Sequence, residues 1–168
     1  MIITLTVNDK AVQDALATLA QRVAHPQPVY QLIGEGIMER TKRRFGSSTG
    51  PDGAPWTPNA PSTIASFFAR PGVKAQKGAA QGGKKPLIGH AGRLKSQFSV
   101  VATDASVTVG SSTLYAAIQQ FGGKKSAYPN LWGDIPARPF LPVHADGTLY
   151  PDEQKHILDA IRAFLTRA

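Results

Sequence analysis

The chain contains no cysteine, which excludes disulfides and thiolate metal sites. It has no apolar run near the roughly 18 residues that a membrane-spanning helix needs. Its first residues, Met1-Ile2-Ile3-Thr4, lack the basic region and apolar core of a signal peptide. The expectation is a chain that stays where it is made until something carries it out. The four histidines, His25, His90, His144 and His156, show no i+3 or i+4 pairing, and metal binding calls for convergent ligands. No acidic residue occurs between Gly53 and Thr103, and no aromatic one between Phe68 and Phe98. Together these absences point away from catalysis: no metal, no cofactor and no catalytic residue is expected.

What is present suits one domain of 168 residues, with 42% apolar content and a core of ordinary size. Nineteen Lys and Arg against eleven Asp and Glu give a net charge of +8, which favours an acidic partner, whether nucleic acid or protein. Ile2 to Val7 are apolar and β-branched and read as a short strand. Val12, Leu16, Leu19, Ala20 and Val23 lie on one helical face, which ends at His25-Pro26-Gln27-Pro28. A second helix is expected from about Val29 to Phe45, burying Leu32, Ile33, Ile37 and Phe45 and exposing Glu35, Glu39 and Arg43. A short helix around Ser62–Ala69 follows. Phe98 to Thr103 and Val107 to Val109 alternate as a hairpin around Asp104-Ala105. A short helix from about Leu114 to Phe121 comes next, then a Gly- and Pro-rich loop. Pro151 opens a final helix with Ile157, Leu158, Ile161 and Leu165 as its stripe. The fold class is α+β, a small antiparallel sheet packed with N-terminal and C-terminal helices.

The segment from about 71 to 86 is Gly-, Ala- and Lys-rich and is expected to be mobile. Gly78 to Lys84 matches the opening of a phosphate-binding loop. Lys85 stands where Ser or Thr would hold magnesium, no apolar strand precedes it, and Pro86 follows at once. A flexible basic linker accounts for it better. Lys74, Lys77, Lys84 and Lys85 could each meet a phosphate, yet no aromatic residue stands among them to stack a base. Glu35 and Glu39 share a face with Arg43, a charge-paired surface and not an acid–base pair.

Four patches of sequence resemble a known family. Arg44-Phe45 leads to Gly50-Pro51-Asp52-Gly53 and Trp56-Thr57-Pro58. Leu87 to Leu94 resembles the family's lead-in to its strands, with Ala91 where threonine is usual. Val107 to Ser111 and Tyr115 to Gly122 resemble a "VGS…YA.IHQ.G" pattern, with Gln119 where histidine is common. Ile135 to Leu141 is similar to a "PARPFL" signature. In this order, across about 45 to 141, they resemble the tail-completion, or virion morphogenesis, proteins of Mu-like phages and prophages.

The resemblance implies a non-enzymatic structural component added late in virion assembly, at the head-proximal tail end or the neck. It implies a virion location, with the host bacterial cytoplasm as the place of assembly. Its partners would be further copies of itself in a ring and other tail or neck proteins. A capsid-side head-completion factor and a basic nucleic-acid-binding protein are the alternatives. The candidate assembly interface is Arg138, Phe140, Leu141 and Trp56. Pro136 and Pro139 stiffen the segment around Arg138, whose planar fork suits a carboxylate. The same side chains could equally tie the loop to its own domain. The second candidate surface is the basic loop.

Overall fold

The computed structural model describes residues 9–69, 84–89 and 92–167. Among these residues there are six helices and one two-stranded sheet: α1 (Lys10–Ala24), α2 (Gln27–Ser47), α3 (Pro61–Phe68), α4 (Arg93–Ser96), β1 (Phe98–Ala102), β2 (Val107–Ser111), α5 (Ala116–Phe121) and α6 (Pro151–Thr166). The α+β class expected from the sequence is the one observed. The strand expected over Ile2 to Val7 lies outside the described residues, as do positions 71–83 of the basic loop.

Helix α2 is the axis of the fold. Pro28 sits in its first turn, where a missing N–H costs nothing. Val29, Ile33, Ile37, Thr41 and Phe45 recur every four residues and are all buried. The first three form one cluster with Val107 and Val109 of β2 and with Ile157, Ala160, Ile161 and Phe164 of α6. Phe45, in the last turn, belongs to a second cluster with Trp56, Leu94 and Phe140. One helix thus serves two cores.

The hairpin pairs Val100 with Val109 and Ala102 with Val107 in antiparallel register. Its turn is held by Thr103, whose Oγ1 accepts from Ala105 N at 3.2 Å and Ser106 N at 3.1 Å. Gly34 lets α2 approach this sheet: a Cβ there would collide with the side chains of Val100 and Val107. The contact explains why a glycine is tolerated in the middle of a long helix.

Two side-chain assignments differ from the sequence reading. Leu32 and Leu158 are exposed, because the burying faces of α2 and α6 are centred on the adjacent residues, Ile33 and Ile157. The apolar face of α1 forms as its spacing implies, yet no residue of α1 is buried. Leu16 is 60% exposed, and Val12 and Val23 are similarly open. Helix α4 was not anticipated: its four residues fill part of the lead-in before β1 and place Leu94 in the aromatic core.

Candidate functional site

The sequence patches converge in space at the end of α2. The helix stops at Ser48, which turns left-handed (φ 59°) and donates its N–H to Arg44 O. The Gly50-Pro51-Asp52-Gly53 turn follows. Gly53 N–H donates to Gly50 O at 3.1 Å, Gly50 N–H to Ala54 O at 2.7 Å, and Ala54 N–H to Asp52 Oδ1 at 3.0 Å. Gly53 has φ +78°, a value that suits glycine. The chain then returns along the end of α2, and Trp56 N–H donates to Ser48 O at 2.8 Å. This reversal sets the Trp56 ring edge-on to Phe45, with centroids 5.4 Å apart.

The segment from Ile135 to Val143 is pinned from three sides. Gly122, at φ +76°, passes so close to Ile135 and Ala137 that a Cβ would stand 2.9 Å from Ala137 N. Arg138 N–H donates to Gln119 O at 2.9 Å. The Arg138 guanidinium reaches across to the turn: Nε donates to Thr57 O at 2.8 Å and Nη2 to Pro58 O at 3.0 Å. Trp56 Nε1 donates to Pro139 O at 2.8 Å, and Arg44 Nη1 to Phe140 O at 2.9 Å. Gln120 completes the clamp. Its Oε1 accepts from Phe140 N and Leu141 N, both at 2.9 Å, while its Nε2 donates to Leu141 O and Val143 O. Every donor and acceptor of that amide is thereby oriented.

Beneath the clamp lies a buried ion cluster. Glu153, at the start of α6, takes a two-pronged contact from Arg40 and lies 3.6 Å from Arg44. Burial lowers the Arg44 pKa from its ordinary value, and the Glu153 charge opposes that shift.

Of the four candidate interface residues, Trp56, Arg138 and Phe140 are therefore buried within the chain, and Leu141 is half-buried against the same cluster. Their hydrogen bonds run between the chain's own loops. Within the chain they tie the loop down, and what they present outward is the shape of that loop. In the basic loop, Lys84 Nζ donates to Ile88 O at 3.0 Å and lies 4.6 Å above the Phe67 ring, and Lys85 Nζ donates to Gly46 O. Lys74 and Lys77 lie outside the described residues. Gln120 and Glu153 were not singled out by sequence. The one available signal for Glu153 is the spacing of Arg40 and Arg44, one turn apart on a face otherwise apolar.

Beside the clamp is a cleft of about 570 Å³, lined in part by Arg138, Leu87, Leu94, Tyr115, Trp132 and Ile135. A second hollow of about 500 Å³ adjoins it and shares Thr63, Lys84, Gly89 and Trp132. Trp132 is 73% exposed at the rim. Arg138, only 7% exposed, forms no ion pair among the described residues, and burial lowers its pKa below the ordinary arginine value. Among the described residues no three His, Asp or Glu side chains gather as a metal site, and no helix is long and apolar enough to cross a membrane. The cleft offers apolar walls, aromatic edges and the buried Arg138 guanidinium, with Lys84 and the exposed Asp134 also in its lining.

Comparison with known proteins gives one match. The model of the phage virion morphogenesis family covers residues 7–166. No curated protein and no solved structure matches the chain.

Proposed function

Since the chain belongs to the phage virion morphogenesis family, we propose that it is a structural, non-enzymatic subunit that completes the head-proximal tail end, or the neck, of a tailed-phage particle. The family match across nearly the whole chain carries this reading. The geometry supports it: the family-like motifs build a loop clamp held by many hydrogen bonds, and a partly apolar cleft lies beside it.

The subunit acts as one member of a ring. A ring needs a head-to-tail interface with two unlike patches on each copy. The exposed stripe of α1 is one such patch. The N-cap Asp9 and Asp14 balance Lys10 and Arg22, so residues 9–24 carry no share of the net charge of +8. The unlike patch of the next copy can meet this helix without the repulsion that opposes contact elsewhere.

Light scattering of the full chain, across concentration and at two salt levels, with and without duplex DNA, tests the reading. A discrete oligomer indifferent to DNA is expected. A monomer that binds DNA in low salt and releases it in high salt would replace it with a nucleic-acid function. Gold-labelled antibody on purified particles tests the position. Label at the head–tail joint is expected, and label on the capsid shell would move the protein to the head side.

A further inference from the structure

We propose that the cleft beside the clamp is the docking site for an acidic segment of another virion protein, with apolar residues flanking a carboxylate that pairs with Arg138. This rests on the virion reading only for the source of the partner. The cleft itself is argued from its own chemistry.

Arg138 is the first observation. A guanidinium carries five donors. Two of the Arg138 donors are spent on the carbonyls of Thr57 and Pro58. Its Nη1 makes no hydrogen bond among the described residues, and it is not among the side-chain atoms sealed from solvent without a partner. Nη1 therefore reaches the cleft that Arg138 lines. Carbonyls satisfy donors but leave the charge uncompensated. A carboxylate arriving from outside would neutralise it in a half-enclosed setting, where charge-assisted bonds are strong.

Shape and charge define the occupant. The two adjoining hollows, of about 570 and 500 Å³, form a trough longer than one side chain requires. Tyr115 and Trp132 stand exposed at its edge, and Leu87, Leu94 and Ile135 give it apolar walls. Exposed aromatics, with Arg138 and Lys84 against a single carboxylate, Asp134, that already accepts from Lys125 N–H, suit an extended segment that alternates apolar and acidic residues. The chain's net charge of +8 favours an occupant of opposite sign over a second copy docking through a basic surface. An acidic partner gains from the same field.

The test uses the full chain and three synthetic probes: acetyl-Leu-Glu-Phe-Glu-Leu-amide, its Gln-for-Glu counterpart, and acetyl-Gly-Glu-Gly-Glu-Gly-amide. Binding is followed by nitrogen-15 NMR at the Arg138 Nε–H and Trp132 indole signals. The first probe is expected to shift both signals and to bind about tenfold or more tightly than either of the others. Trp132→Ala, a change at an exposed site, is expected to weaken it severalfold with folding unchanged. Arg138→Lys, checked for folding by circular dichroism, is expected to reduce the preference for Glu over Gln. Equal binding of the Glu and Gln probes, equal binding of the glycine probe, or no shift at Arg138 would overturn the proposal. So would self-association of the chain that the Trp132→Ala change abolishes, since the cleft would then hold a second copy. A failed ring or virion assay alongside a positive peptide result would sink the wider reading and leave the cleft standing.

Discussion

Glu153 is 2% exposed and faces two arginines that lie one helical turn apart on α2. Removing its charge leaves both guanidiniums without an acidic partner in a place where water reaches them poorly. Glu153→Gln keeps the shape and is expected to cost about 3 kcal/mol, the low end for a broken buried pair because Arg40 retains some solvent. Urea unfolding with an unchanged m-value measures it. A loss under about 1 kcal/mol would mean that the cluster is no more than a surface pair. This residue shows why the site was only partly legible in the sequence. Trp56, Arg138 and Phe140 announced themselves by type and by neighbouring prolines. Whether such residues face a partner or their own domain depends on which loop lies opposite, and the return of the chain at Gly50–Gly53 decides that. Gln120 and Glu153 are polar residues whose importance comes wholly from burial against segments far along the chain, which spacing alone does not reveal.

At the scale of elements, periodicity was informative wherever one face is covered. α2, α3, the hairpin and α6 fall within a few residues of the positions that their patterns imply, including the turn at Asp104-Ala105. α5 begins at Ala116, two residues later than expected, and the four-residue α4 is too short for a period to register. Two glycines in α2 separate packing from propensity. Gly34 meets β1 and β2, and a Cβ there would lie 2.7 Å from Val107 Cγ2. Gly46 has nothing within 4 Å of the same position. Gly34→Ala is expected to destabilise by about 1–3 kcal/mol through overpacking. Gly46→Ala is expected to stabilise by up to about 1 kcal/mol through helix propensity and lower unfolded-state entropy. Thermal melts of the two variants side by side check the pair. The same sign for both would show that α2 and the hairpin do not pack as described.

At the scale of the molecule, α1 is the element that the isolated chain does not explain. Its cap is sound, since Asp9 accepts from Ala11 N and Val12 N. Its tie to the body includes Arg22 Nη1 donating to Leu165 O at 3.2 Å, and no residue of α1 is buried. A 15-residue helix has marginal stability in water unless its apolar face is packed. Val12, Leu16, Leu19 and Val23 instead point into solvent. The two clusters that hold the fold together contain no residue of α1. Folding of the body and use of α1 should therefore separate. A chain that starts at His25 is expected to melt within about 2 °C of the full chain, because little buried area is lost. It is also expected to lack the oligomer that the full chain should show in light scattering, as is the full chain carrying Leu16→Asp and Leu19→Asp. If the shortened chain unfolds instead, α1 belongs to the core and the ring patch must be sought elsewhere. If it melts normally and still forms the same oligomer, α1 serves another partner.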